Sequence, residues 1–367
     1  MSPSRRALLA LMAVGGALPA AKAQTVRPRA LEFPRDHGAH PEFGIEWWYA
    51  TGWLQRDAER GAARPAWGFQ LTFFRTRTGL AEALPGRFAA RQLLFVHAAL
   101  TDLTARRLVH AERMVRWTGD KPTPRAAAAH DDARVQVADW RLERGADGRY
   151  ACALGDQGAG FAWRLALAPT QPVLLQGDDG FSRKGPKPEN ASHYYSQPQL
   201  DVGGELAAGA GSRQAVHGRA WLDHEWSGSL MPERAVGWDW IGINLDDGGA
   251  LMAFRLRDAQ GAPVWAGGTL RTRDGTLRRF TPDEVRFDAL AWWTSAATRA
   301  RYVVRWRITC GAGRYELQAL VDAQELDGRA STGTVYWEGL SELRNLEGQR
   351  LGLGYLEMTG YAAPLRL

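Results

Sequence analysis

The densest group of residues that could do chemistry lies in one predicted strand, residues 218–226, and it contains Asp223, His224, Glu225 and Trp226. Successive side chains of a strand point to opposite faces, so Asp223 and Glu225 share one face and His224 and Trp226 share the other. If His224 and Trp226 face an aromatic hollow, this pattern predicts proton chemistry on a hydrophobic molecule, with all four residues as catalytic candidates. The alternative is a tryptophan-rich core in which His224 bonds a neighbouring carboxylate.

A second motif follows at Gly237-Trp238-Asp239-Trp240. On the same alternation Trp238 and Trp240 share a face, and Asp239 lies on the opposite one. We expect the indole pair to bind the apolar part of a ligand, with Asp239 as a further candidate for the binding site.

The third motif, Glu46-Trp47-Trp48-Tyr49, stands early in the chain. Glu46 shares a face with Trp48, and burial against an indole raises the pKa of a carboxyl group, as a general acid requires. These four residues are therefore predicted to contact substrate. The alternative is a glutamate that is hydrogen-bonded to backbone at the mouth of a barrel.

The residues before this motif raise the question of a metal. Asp36, His37, His40 and Glu46 are residue types that zinc accepts. Their spacing matches no metal motif, and the Gly and Pro residues among them indicate a loop whose polar groups are solvated or bonded to backbone. The sequence also has no dinucleotide or phosphate-loop fingerprint. We therefore expect neither a metal nor another cofactor.

Tyr194 and Tyr195 lie in a polar stretch, residues 192–196. Their hydroxyl groups would point to opposite faces, where they could orient a ligand or pack one domain on another.

The elements that position these residues are predicted to be strands. Segments rich in β-branched and aromatic residues recur throughout, for example at residues 67–75, 238–245 and 302–309, and turn signals such as Asp-Gly separate them. This pattern indicates an all-β protein built as antiparallel barrels or sandwiches.

A weak internal repeat predicts two domains. Glu46-Trp47 and Glu225-Trp226 are 179 residues apart, and Phe74-Arg75 and Phe254-Arg255 are 180 apart. A Gly/Ala-rich stretch at 203–211 resembles a linker. We therefore expect domains at 24–205 and 206–367, with coincidence as the alternative.

The N-terminus predicts export. Arg5 and Arg6 precede an apolar run, and Ala21-Lys22-Ala23 suits signal peptidase, so residues 1–23 are predicted to be a signal peptide that is cleaved after Ala23. The arginine pair is also compatible with twin-arginine export. No later segment approaches the roughly 20 apolar residues of a membrane span. A periplasmic or secreted location is expected.

Charge and cysteine content narrow the partners further. The chain carries a net charge of +6, and +3 after residue 23, which is too weak for a nucleic-acid partner. Its two cysteines, Cys152 and Cys310, fall in different predicted domains. We expect them to be separate buried thiols, although export also permits a disulfide.

Taken together, these motifs resemble the AttH-type branch of the carotenoid 1,2-hydratase superfamily, whose members are often labelled predicted secreted hydrolases. The resemblance covers nearly the whole chain after residue 23. It implies two lipocalin-like antiparallel β-barrel domains that pack side by side.

The resemblance also implies site residues. Carotenoid hydratases use a His-x-Trp pair, which His224 and Trp226 match, and a downstream Tyr-x-Asp whose Asp protonates a double bond. At that second place this chain has Phe254-Arg255-Leu256, so the proton donor of the family is missing there. Glu225, Asp239 and Glu46 are the remaining candidates for that role.

The sequence thus predicts an exported protein that binds a hydrophobic or amphipathic small molecule and that acts as a cofactor-independent hydratase or isomerase on a C=C bond. A lipocalin-like carrier without chemistry and a secreted hydrolase are the alternatives. Neither the ligand nor the oligomeric state follows from the sequence.

Overall fold

The computed structural model describes residues 24–61, 64–79, 90–119, 122–209 and 211–365. The predicted signal peptide, residues 1–23, lies outside the described residues. Within them the chain is almost entirely β-structure, with short 3₁₀ turns at Arg35–His37, Asp57–Glu59 and Pro282–Glu284. The described part of the chain contains no helix that is long and apolar enough to cross a membrane.

The strands form two antiparallel sheets. The first sheet contains β1 (Ile45–Arg56), β2 (Trp67–Arg77), β3 (Gln92–Asp102), β4 (Arg107–Trp117), β5 (Ala126–Ala128), β6 (Arg134–Val137), β7 (Trp140–Arg144), β8 (Tyr150–Asp156), β9 (Phe161–Pro169), β10 (Leu174–Leu175), β11 (Phe181–Arg183), β12 (Ala191–Ala208) and β13 (Gln214–Ser227). The second contains β14 (Gly237–Leu245), β15 (Ala250–Arg257), β16 (Pro263–Arg271), β17 (Leu277–Phe280), β18 (Arg286–Thr294), β19 (Arg301–Cys310), β20 (Gly313–Ala319), β21 (Glu325–Gly328), β22 (Thr334–Arg344) and β23 (Arg350–Met358).

The first sheet is a nearly closed barrel. Its strand order runs β4-β3-β2-β1-β13-β12-β9-β8-β7-β6-β5, and its two end strands lie close to each other. The inward-facing side chains, among them Phe69, Trp140, Trp163 and Leu222, form a continuous apolar core. A strand that has one face on such a core must alternate inward-facing and outward-facing side chains. The predicted all-β, lipocalin-like barrel fold is confirmed.

The second sheet has the order β17-β16-β15-β14-β23-β22-β20-β19-β18. It has a core of its own, which includes Ile241, Trp306 and Trp337. The two cysteines lie one in each core, and both are buried free thiols. This agrees with the expectation of unbonded cysteines.

The chain passes from the first sheet to the second between Ser227 and Gly237. The sequence placed a domain boundary at 205/206, but residues 214–227 form β13, which pairs with β1 and β12 in the first sheet. The predicted linker at 203–211 overlaps the end of strand β12. Gly204 pairs there with Leu165 of β9, and a Cβ atom on Gly204 would come within 2.1 Å of the Arg164 carbonyl oxygen. Gly204 thus permits close strand pairing, which the composition alone does not distinguish from a linker.

Candidate active site

Strand β13 separates two groups of polar residues, as its alternation predicts. His224 and Trp226 point to one side of the sheet and have no exposed surface. The imidazole of His224 stacks on the Trp48 indole, with ring centroids 4.7 Å apart. It is therefore enclosed by packed side chains.

A buried charge network surrounds His224. Its Nε2 lies 2.9 Å from Oε1 of Glu46, and the same oxygen lies 2.8 Å from Nδ1 of His40. Arg75 donates from Nε to Oε2 of Glu46 at 2.7 Å. Although burial opposes ionisation, the charges of Arg75 and His40 hold the pKa of Glu46 well below its usual value. Glu46 is thus an ionised carboxylate and not the raised-pKa acid that its motif suggested.

This network bears on the metal question. Ligand atoms of His40, Glu46 and His224 lie within 4.8 Å of one another, so their types and distances would suit a metal ion. The guanidinium of Arg75, however, already neutralises Glu46. His37 points elsewhere, with its Nδ1 2.7 Å from the Tyr195 hydroxyl. Glu46, His40 and His224 are hydrogen-bonded to one another in an ion-pair network, in which Nη2 of Arg75 makes no hydrogen bond to the described residues.

On the opposite side of β13 a cavity of about 110 Å³ lies between the two sheets. Asp223 and Glu225 line it, together with residues from β1, β2, β14, β15 and β22. Its aromatic walls are Trp47, Tyr49, Phe74, Tyr194, Trp238, Trp240, Phe254 and Tyr336. An apolar cavity with a few convergent polar groups is typical of a small-molecule site.

Asp223 is the first of three acids in this cavity whose pKa is raised. Its carboxylate accepts hydrogen bonds from the Tyr194 hydroxyl at 2.8 Å, from Ser196 Oγ at 2.5 Å and from Trp221 Nε1 at 2.7 Å. These donors favour the charged form, yet burial outweighs them and raises the pKa of Asp223 to about 7. The group is therefore poised to take up and release a proton near neutral pH.

The other two acids, Glu338 and Glu357, face each other directly across β22 and β23. Burial raises the pKa of Glu357 to about 8 and that of Glu338 well above its usual value, where the Glu357 charge adds to the effect. Oε1 of Glu338 and the nearby Tyr49 hydroxyl make no hydrogen bond of normal geometry among the described residues. Two like charges this close cannot both persist without water, so the pair holds at least one proton at neutral pH.

One cation completes the cavity wall. Nζ of Lys184 lies 3.0 Å from Oε1 of Glu225. The same ammonium lies over the rings of Phe254 and Tyr194, at 4.4 and 4.7 Å from their centroids. Glu225 is therefore neutralised by a partner, in contrast to Glu338 and Glu357.

The sequence and the fold of this chain are similar to those of known proteins. The AttH-like family model matches residues 24–361. The chain belongs to the AttH-like family. No curated protein matches it.

Solved structures show the same fold as this AttH-like chain. A protein assigned to AttH from Nitrosomonas europaea is 44% identical with a TM-score of 0.83, and the match covers 92% of this chain and 99% of that one. Kievitone hydratase from Nectria haematococca is 13% identical with a TM-score of 0.67, over 93% of this chain and 98% of that one. CghA is 16% identical with a TM-score of 0.51, over 92% and 95%.

Only some of the predicted site residues line the cavity of this AttH-like chain. The predicted site residues that line it are Trp47, Tyr49, Tyr194, Asp223, Glu225, Trp238 and Trp240. Those that do not line it are Glu46, Trp48, Tyr195, His224, Trp226 and Asp239. The alternation was predicted correctly, but the hollow lies on the Asp223 face and not on the His224 face. A catalytic role for His224 and Trp226 stays a prediction, and neither side chain lines this cavity.

Sequence reasoning missed Lys184, His97, Tyr336, Glu338 and Glu357, which all line the cavity. A signal for two of them was present, because Glu357 interrupts the apolar run at residues 351–358 and Glu338 lies between Trp337 and Gly339-Leu340. An acid in such a position is buried and perturbed unless it has a partner.

One of the two residue matches in the predicted internal repeat is wrong. Glu46 pairs with Arg75 across β1 and β2, and Asp239 pairs with Arg255 across β14 and β15. In both pairs a carboxylate oxygen lies 2.7 Å from the arginine Nε. Asp239 therefore corresponds to Glu46, whereas the predicted counterpart Glu225 lies on the neighbouring strand of the first sheet.

Proposed function

We propose that this AttH-like protein binds a hydrophobic or amphipathic small molecule between its two sheets and adds or moves a proton on a C=C bond, as a cofactor-independent hydratase or isomerase. The observation that carries this is the placement of three acids with a raised pKa, Asp223, Glu338 and Glu357, in one aromatic-walled cavity. A kievitone hydratase with the same fold supports the proposal by analogy.

The Glu338–Glu357 pair is the proton donor in this proposal. Protonation forms a C–H bond from the alkene π electrons and leaves a carbocation, while the pair becomes more negative. The faces of Trp238, Trp240 and Tyr49 stabilise the cation by about 1 to 2 kcal/mol each in a dry site. The neighbouring carboxylate adds a favourable charge interaction.

Asp223 is the proton acceptor. Water attacks the carbocation through an oxygen lone pair and forms a C–O bond. Asp223 then removes the extra proton from the oxygen of that bond. Loss of a proton from the adjacent carbon to Asp223 gives isomerisation instead. Either outcome needs Asp223 ionised in part of the population, which a pKa of about 7 provides.

Deuterium incorporation tests this proposal without knowledge of the natural substrate. The protein is incubated in D₂O with a panel of isoprenoid and polyene alkenes, and mass spectrometry follows deuterium at alkene carbons. We expect the parent to catalyse incorporation and Glu357→Gln to lower the rate by roughly 10²- to 10⁴-fold. Glu316→Gln, at the opposite end of the second sheet, is the matched control. An inactive parent, or full activity in Glu357→Gln, would refute the proposal.

The carrier and hydrolase alternatives make different predictions. A carrier needs the aromatic walls but not three acids with a raised pKa, and native mass spectrometry would find it with a stoichiometric lipid and no turnover. The described residues that line the cavity include no serine or cysteine, so a hydrolase at this site would use the acids to activate water. Turnover of an ester and lactone panel would distinguish hydrolysis from protonation of an alkene.

We also propose that the protein is exported. The family match begins at residue 24, the first residue after the predicted cleavage site. Intact mass measurement of protein from the periplasmic fraction should give a chain that begins at Gln24. A full-length chain confined to the cytoplasm would contradict this.

A further inference from the structure

A series of hydrogen bonds leads away from the cavity, and it does not include Asp223, Glu338 or Glu357. The Tyr336 hydroxyl lies 2.6 Å from Nδ1 of His97, and Nε2 of His97 lies 2.6 Å from Oγ of Ser331. Oγ of Ser331 lies 2.5 Å from Oε2 of Glu112. Tyr336 and His97 line the cavity, whereas the Glu112 side chain is 18% exposed. The chain thus connects the cavity with solvent.

Both sheets contribute alternate members of this chain. His97 on β3 stands directly opposite Glu112 on β4, so their side chains share a face. Ser331 lies in the turn before β22, and Tyr336 lies on β22 itself. Each of the three hydrogen bonds therefore crosses from one sheet to the other, while Nε2 of His97 also lies 3.3 Å from Oε2 of Glu112 within the first sheet.

The donor and acceptor roles follow from chemistry. Burial lowers the pKa of His97 to about 3, with a smaller contribution from the charge of His110, so the imidazole is neutral and has one N–H and one bare nitrogen. When Glu112 is ionised it can only accept, so the Ser331 hydroxyl donates to it. Nε2–H of His97 then donates to Ser331, and Nδ1 accepts from Tyr336.

Protonation of Glu112 reverses every bond. Glu112 then donates to Ser331, Ser331 donates to Nε2 of His97, and Nδ1–H donates to the Tyr336 oxygen. The Tyr336 hydrogen is left free to point into the cavity. The chain thus has two complete orientations, which differ by the proton at Glu112.

We propose that the Tyr336–His97–Ser331–Glu112 chain is a proton relay between solvent and the cavity acids. This rests on the proposed function, because each hydration leaves the Glu338–Glu357 pair one proton short and Asp223 with one proton in excess, which Asp223 returns to water. Tyr336 and Glu338 are two residues apart on β22 and face the same side. In the orientation with a protonated Glu112, the Glu112 proton passes to Ser331, the Ser331 hydrogen to Nε2 of His97, the Nδ1 hydrogen to Tyr336 and the Tyr336 hydrogen to Glu338. One proton has then reached Glu338, Glu112 is ionised, and the relay returns to its starting orientation after Glu112 takes a proton from water.

Histidine tautomers report this relay without any substrate. The full chain is labelled with ¹⁵N-histidine, two-bond ¹⁵N–¹H spectra show which ring nitrogen is protonated, and His97→Gln identifies the signal. We expect Nε2–H at about pH 7 and a change to Nδ1–H when the sample is acidified until Glu112 is protonated, with the ring still neutral. The protonated and bare nitrogen shifts of His97 would exchange places.

Variants separate Glu112 from the other groups that titrate nearby, which are His110 on β4 and the acids Glu338 and Glu357 that act on Tyr336. Glu112→Gln should keep one tautomer at every pH, and Ser331→Ala, in a half-buried turn, should leave only the response that the direct 3.3 Å contact between His97 and Glu112 carries. His110→Gln should retain it. A tautomer that never changes in the parent, or one that still changes in Glu112→Gln, would overturn the relay. Because no alkene is present, either result is independent of the proposed reaction.

Discussion

The buried acid pair makes a quantitative prediction about stability. Burial raises the pKa of Glu357 from its usual 4.5 to about 8, so the folded protein keeps a proton that the unfolded chain releases above pH 4.5. Since the folded state binds more protons in this window, its stability falls as the pH rises from 4.5 to 8. One such proton gives a slope of up to about 1.4 kcal/mol per pH unit, or roughly 3 to 4 kcal/mol between pH 5 and pH 8.

Glu357→Gln tests this directly, because glutamine has nearly the shape of the protonated acid and does not titrate. Urea unfolding at pH 5, 6, 7 and 8 gives the free energy of unfolding at each pH. We expect the variant to lose much less stability than the parent across this range. The difference should be largest at pH 8 and reach roughly 3 to 4 kcal/mol in favour of the variant.

Glu316→Gln is the control for this measurement. Hydrogen bonds from Arg305 and Arg307 lower the pKa of Glu316, so it is ionised in both the folded and the unfolded state throughout pH 5 to 8. Its removal should leave the slope of the parent unchanged. Parallel curves for the parent and Glu357→Gln would show that Glu357 ionises normally, and the proton donor of the proposed mechanism would be lost.

Three further outcomes are expected. Glu46→Gln leaves the buried charge of Arg75 without its partner and should lower the free energy of unfolding by about 3 to 5 kcal/mol, and a loss below about 1 kcal/mol would contradict the network. Cys152 and Cys310 should resist alkylation in the native protein and react fully in urea, whereas a native reaction would place them outside the cores. Trp238→Leu should weaken the binding of an anilinonaphthalene dye about 10-fold without a change in unfolding midpoint, and unchanged binding would exclude this indole from the cavity wall.

The fold could largely be predicted from the sequence because barrel strands must alternate. The predicted strands at 238–245 and 302–309 correspond to β14 and β19. Strand β12 was not recognised, although it has 18 residues, because its polar beginning and its Gly203-Gly204 step resemble loops. Close pairing with β9 favours glycine at position 204, and that tertiary contact leaves no periodic pattern in the sequence.

The site was less predictable because the face of β13 that meets a cavity depends on the other sheet. Local alternation assigns Asp223 and His224 to opposite faces but does not show which face the second sheet will cover. The two acids that complete the cavity come from β22 and β23, more than 100 residues further along the chain. Their register, which sets Glu338 opposite Glu357, is decided by strand pairing and not by a local motif.

The two faces of β13 divide structural stability from chemistry. On one face Glu46 is ionised and is bound by Arg75 and by two imidazoles. This arrangement is destabilised if any member changes its charge. On the other face Asp223 is surrounded by hydroxyl and indole donors without a nearby arginine, so it can change its charge at moderate cost. A residue that must exchange protons in each turnover is better placed in the second environment. We therefore propose that the proton chemistry belongs with Asp223 and the Glu338–Glu357 pair, and that the ion-pair network around His224 holds β1, β2 and β13 in the positions that this cavity requires.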